Sequence, residues 1–178
     1  MNTDKKINKE NLDLFLNNYN KISKVLLIKS PTINFKTINV KVHKESGYMT
    51  YPPIEITTLA ATIRQKLPNV DLKLLDAEYD TLINLSENKD KKNILKNCIK
   101  KAIDEFKPDM VGISVVFSVA KANSLEIMKI VKSYNEKIMV AFGGVHATFD
   151  YKNIIEKGAD VVFLKEADHT FPDFIKYA

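Results

Sequence analysis

Cysteine is almost missing from this chain: Cys98 is the single one in 178 residues. No intramolecular disulfide can form, so the fold has to stand on its core alone, as suits a reducing compartment. There is no tryptophan, and there are only five glycines and six prolines. No apolar run approaches the roughly 18 residues that a membrane-spanning helix needs. The opening "MNTDKKINKENLDLFLNNYNKI" holds no apolar core of signal-peptide length. These absences lead to the expectation of a cytoplasmic protein without a membrane span. A basic stripe interleaved with aromatics is also lacking. The net charge is +5, but the lysines are scattered among glutamates and asparagines, so a nucleic-acid partner is not expected. With 45% hydrophobic and 28% charged residues, the composition is that of an ordinary globular chain.

The apolar pattern is ordered. Residues 1–23 read as a polar extension with a short helix spaced by Leu12, Phe15, Leu16 and Tyr19, either docked or frayed. From residue 24, "KVLLIKS" has the look of a buried parallel strand. About twenty residues without a usable period follow, a length that usually marks a functional loop. The spacing then predicts a helix in "PPIEITTLAATIRQKLPN", a strand in "VDLKLLDA" and a helix in "DKKNILKNCIKKAIDEFKPD", bounded by prolines. "DMVGISVVF", "KIMVAFGG" and "ADVVFLKE" read as further strands. "VAKANSLEIMKIVKSYN", "DYKNIIEKG" and "TFPDFIKYA" read as helices, with Gly158 closing the second. Strict strand–helix alternation implies an α/β fold: a five-stranded parallel doubly wound sheet, flavodoxin-like, of order 2-1-3-4-5.

In such a sheet ligands bind beyond the carboxyl ends of the strands. The unusual features of the sequence gather on that edge: the long loop after strand one, Gly143-Gly144 after strand four, and "KEADH" after strand five. Two of five glycines side by side mark a tight turn into the next helix or a place where something approaches bare backbone. The dinucleotide and phosphate-loop fingerprints are missing after strand one. The acidic positions of a receiver domain hold Lys29, Ser30 and Ser114 instead. A small flavin or nucleotide domain would want hydroxyls where "SPTIN" stands.

"YPPIEITTLAATIRQKL", "PDMVGISVV", "GGVHAT" and "GADVVFLKEADHTF" resemble, in order and spacing, the cobalamin-binding domain at the N-terminus of cobalamin-dependent radical S-adenosylmethionine enzymes. The resemblance covers residues 24–178. It implies a corrinoid across the carboxyl edge, with its nucleotide tail inserted beside the sheet. Gly143 and Gly144 match the glycine pair against which the tail packs. Ser114, with Val115, Val116 and Phe117, matches the segment whose hydroxyl bonds the buried base. Val145, His146, Ala147 and Thr148 match the loop after the glycines, and Glu166 with Ala167 matches the Gly-Glu-Gly-Glu stretch after strand five.

Two departures qualify the match. No D-x-H-x-x-G follows strand one, and His43 lies too far along, so the corrinoid is expected base-off with no histidine below cobalt. "KEAD" stands where glycines are usual. The three cysteines of a 4Fe-4S cluster, C-x-x-x-C-x-x-C, are not here either, and such clusters need thiolates. Cluster, S-adenosylmethionine and catalysis are therefore expected in a downstream radical domain, with this chain a cofactor-binding fragment that has no catalytic residue. The alternative is a cofactor-less docking or dimerisation module of the same fold. Glu166 and Asp168 could pair as catalytic acids, but near a helix start they serve as dipole partners. Cys98, on an apolar helix face, reads as inert packing.

Overall fold

The computed structural model describes residues 9–35, 37–39, 45, 50–87 and 93–178; His43 lies outside them. Its sheet has five parallel strands in the order β2-β1-β3-β4-β5: β1 (Lys24–Lys29), β2 (Asp71–Asp76), β3 (Met110–Ser114), β4 (Met139–Gly143) and β5 (Val161–Val162). The helices are α1 (Lys9–Leu16), α2 (Ile54–Lys66), α3 (Ala77–Glu87), α4 (Ile94–Phe106), α5 (Lys121–Tyr134), α6 (Val145–Glu156) and α7 (Thr170–Tyr177).

The period of two divides the strands between two cores. Leu26, Ile28, Val111, Ile113 and Val140 face α3, α4, α5 and α6. Val25, Leu27, Met110, Met139 and Ala141 face α1, α2 and α7. Val25 to Ile28 are all sealed from solvent, each such side chain contributing about 1.5–3 kcal/mol. The N-terminal helix is docked: Phe15, Leu16 and Tyr19 pack on the second core.

Three local expectations need correction. Two helices, not one, lie between β2 and β3. The added α3 is announced by Asp76, whose Oδ1 accepts the N–H groups of Glu78 (3.2 Å) and Tyr79 (3.1 Å), as an N-cap does. Strand β5 pairs over two residues rather than eight. And the helix after β4 starts at Val145, so His146, Ala147 and Thr148 form its first turn instead of a loop. That helix is interrupted at Asp150 (φ −108°, ψ 15°), which is where the sequence pattern placed its beginning.

Candidate functional site

Register fixes the floor of the site. On the α2/α7 face, Gly112 pairs with Leu27 and Ala141, and one step further along Ser114 pairs with Lys29 and Gly143. Two neighbouring strands thus present Gly112, Ser114, Ala141 and Gly143 on one face, with Met110 and Met139 in register behind them. Small residues in two successive rows lower this floor: over Gly112 the space is taken by Leu27 and Phe171, whose atoms would stand 2.8 and 3.3 Å from a β-carbon there, while over Gly143 it stays open. A cavity of about 430 Å³ lies over this floor, within the roughly 300–1,000 Å³ range of ligand pockets. Ile56 and Leu59 of α2 form one wall; Phe163 and Phe171 form the other, with ring centroids 4.8 Å apart. At the mouth stand Glu55, Val145, Phe149, Lys165 and Glu166. Phe149 is 83% exposed, the most open large apolar side chain among the described residues.

The two adjacent glycines have different duties. A β-carbon on Gly143 would meet nothing within 4 Å, so its bare face is turned to the cavity. Gly144 has φ +101°, and a β-carbon there would stand 2.7 Å from the Val115 carbonyl oxygen. That glycine permits the turn into α6 and the close approach of two main chains. Both glycines line the cavity, Gly143 with an open face and Gly144 through the turn it permits.

Of the expected site residues, Ser114, Val116, Gly143, Gly144, Val145 and Thr148 line the cavity, as do Glu166 and Ala167. The Ser114 hydroxyl has no protein hydrogen bond among the described residues, which leaves it free for a ligand. Val115 and Ala147 do not line the cavity: both are buried in the opposite core. His146 is also turned elsewhere. Its Nδ1 is 3.0 Å from Ser118 Oγ and its Nε2 3.6 Å from Asp150 Oδ2. Lys121 Nζ holds the same carboxylate oxygen at 2.9 Å. That lysine first, then Asn153, keeps the Asp150 carboxyl below the ordinary range. Phe117 borders a second, smaller cavity of about 180 Å³ at the ends of β1 and β3, where its ring lies 5.9 Å from that of Tyr51. Ser114, Val116 and Glu55 border both cavities.

Beneath the smaller cavity Lys29 is buried. Its ammonium donates to the Tyr51 carbonyl (2.6 Å) and to Asp76 Oδ2 (3.0 Å), with Glu78 Oε2 at 3.6 Å. Thr32 donates to the other oxygen of Glu78 at 2.7 Å. A buried charge needs such partners, and the cluster ties the loop after β1 to β2 and α3.

Lys165 is the other unusual backbone position. It has φ +61°, which costs a residue with a side chain about 1–2 kcal/mol. Its N–H donates to Thr148 Oγ1 at 2.8 Å, and the Thr148 hydroxyl donates to the Gly144 carbonyl at 3.1 Å. The glycine-to-lysine departure therefore keeps a glycine-like backbone.

The reading of the sequence missed Gly112, Ala141, Leu27, Phe163, Phe171 and Phe149. The pattern small-x-small in "GIS" and again in "AFG" was the available signal. Among the described residues no group of three or more His, Cys, Asp or Glu side chains could hold a metal ion, and no helix is long and apolar enough to cross a membrane.

The family model described as "B12 binding domain" matches residues 40–175. An uncharacterized methyltransferase of Pyrococcus horikoshii is 29% identical over 157 residues, which are 87% of this chain and 29% of that protein. A cytidylyl-2-hydroxyethylphosphonate methyltransferase of Streptomyces wedmorensis is 36% identical over 74 residues, 41% of this chain and 14% of that protein. The matched region thus spans less than a third of either relative.

Proposed function

The chain belongs to the B12-binding domain family, and from that premise we propose that its larger cavity takes the nucleotide tail of a base-off cobalamin, with the corrin across the carboxyl edge. The observation that carries this reading is the open face of Gly143 beside Ser114 and Ala141, beneath a 430 Å³ apolar slot. A flat aromatic base needs such a floor, and side chains of ordinary size would fill it. The free Ser114 hydroxyl supplies a hydrogen bond to a ring nitrogen. Glu55 and Glu166, at the mouth, can accept hydrogen bonds from the amide arms of a corrin. That no D-x-H-x-x-G follows β1 in the sequence supports a cobalt without an imidazole below it.

When bound, the corrinoid supplies a cobalt centre for group transfer; this chain's own residues bind it, orient it and keep water from the tail. The cobalamin-binding unit is taken as residues 24–178, with 1–23 as its extension. Both relatives are named methyltransferases and both are far longer, so the parent is proposed to be a cobalamin-dependent radical S-adenosylmethionine methyltransferase or a related cyclase. The 4Fe-4S cluster and S-adenosylmethionine then belong to a downstream domain. A cofactor-less docking role gains nothing from the "KEAD" departure, because Lys165 keeps the backbone shape that glycine would have.

The experiment is reconstitution with hydroxocobalamin followed by desalting and visible spectroscopy. A retained chromophore with a base-off spectrum is expected. A colourless protein, under both aerobic and anaerobic conditions, would overturn the reading.

A further inference from the structure

Four charged residues line the slot: Glu55, Lys165, Glu166 and Asp168. Lys165 is the only cation among them, and its ammonium has no hydrogen bond or ion pair with any described residue. Its position is held from both sides. The residue sits at φ +61°, a conformation that glycine adopts freely and a lysine does not. Thr148 fixes its N–H at 2.8 Å and anchors that link to Gly144 at 3.1 Å. A strained backbone that keeps one unpaired ammonium at the rim of a binding slot points to a ligand group that needs it.

A complete cobalamin carries one fixed negative charge on its lower tail, the phosphodiester that joins the ribose to the corrin arm. The rest of the tail and the corrin amides are neutral. We propose that Lys165 is a positioning residue that pairs with this phosphodiester and so selects complete corrinoids over those lacking the nucleotide loop. The inference rests on the reading of the slot as a cobalamin-tail site. Three carboxylates around the same mouth repel an anion everywhere except beside the ammonium, so the pairing fixes where the tail turns inward as well as adding affinity.

The test measures dissociation constants of the full chain for cobalamin and for cobinamide, which has neither phosphodiester nor base, at low and high salt. Lys165→Ala and Lys165→Gly are expected to weaken cobalamin by up to about fivefold at low salt, the scale of an exposed ion pair. That difference should shrink at high salt, and cobinamide affinity should not move. Lys165→Arg should retain wild-type affinity. Lys165→Gly should melt no earlier than the wild type, because glycine relieves the strain, which rules out misfolding as the cause. Unchanged cobalamin affinity in the Ala and Gly variants would overturn the proposal, as would an equal loss for cobinamide. A wild-type chain that binds no cobalamin would instead sink the tail-site reading on which the proposal rests.

Discussion

The α-carbon of Gly144 lies so close to the main chain of Val115 that a β-carbon would stand 2.7 Å from the Val115 carbonyl oxygen. This carbonyl also accepts the His146 N–H at 3.0 Å. The residue that follows strand β3 therefore holds the first turn of α6 directly. Gly143, one residue earlier, faces open space.

A pair of substitutions separates these duties. Gly144→Ala places a side chain at φ +101° and against Val115, and should cost about 2–4 kcal/mol. Gly143→Leu has room for its side chain and should leave stability within about 1 kcal/mol of the wild type, yet fill the slot. Thermal unfolding and cobalamin retention are the two readouts. If Gly143→Leu keeps the chromophore, the tail does not lie over that strand end.

Much of this was legible beforehand, for identifiable reasons. Parallel strands buried on both faces give continuous apolar runs such as "KVLLIKS", and prolines and glycines bracket the helices, so order and class followed from the pattern. Helix α3 escaped because "AEYDTLINLSE" mixes polar and apolar residues without a clear stripe; its sign was the capping carboxylate of Asp76. The slot was half visible. Loop motifs after the strands were conspicuous, whereas Gly112 and Ala141 lie inside strands, where they become meaningful only once register sets them side by side. The walls from Phe163 and Phe171 depend on how α7 returns across the sheet, which no local spacing encodes.

Lys29 offers a test of the buried cluster. The Glu78 side chain is almost wholly buried, and replacing Lys29 by Met would take the Lys29 ammonium away from it and from Asp76. Breaking one side of a buried pair costs about 3–5 kcal/mol. Urea unfolding of Lys29→Met should show that loss, and the double variant Lys29→Met/Glu78→Gln should recover part of it. Equal stabilities of the single and double variants would mean that Glu78 is not the group left stranded.

Burial pushes the Cys98 thiol up to about 11, above the roughly 8.5 of a free thiol. A group raised on folding lends stability that is fully present below its unfolded value and is lost as pH rises through its folded one. The Cys98 contribution should therefore fade between about 8.5 and about 11, and Cys98→Ala should lose that pH-dependent component while gaining a cavity. Ellman's reagent at mildly alkaline pH should find no reactive thiol in the native chain and one after denaturation. Fast native labelling would show that the thiol is not shielded.

The N-terminal helix can be tested as part of the domain. Tyr19 donates to Asp160 Oδ1 at 2.6 Å, while the other oxygen of Asp160 takes the Val140 N–H at 2.7 Å and the Lys132 ammonium. At the other end of the strut, Tyr177 of α7 donates to Asp13 of α1 at 2.6 Å. Tyr19→Phe removes one hydrogen bond and should cost about 0.5–1.5 kcal/mol. Deleting residues 1–20 also strips Phe15, Leu16 and Tyr19 from the second core, and at about 1.5–3 kcal/mol per fully buried side chain the half-buried trio should cost several times as much. Because α7 carries Phe171 into the slot wall, the truncation should also loosen cobalamin binding, whereas Tyr19→Phe should not. A truncated chain as stable as the full one would mean that the helix rests on the domain without holding it.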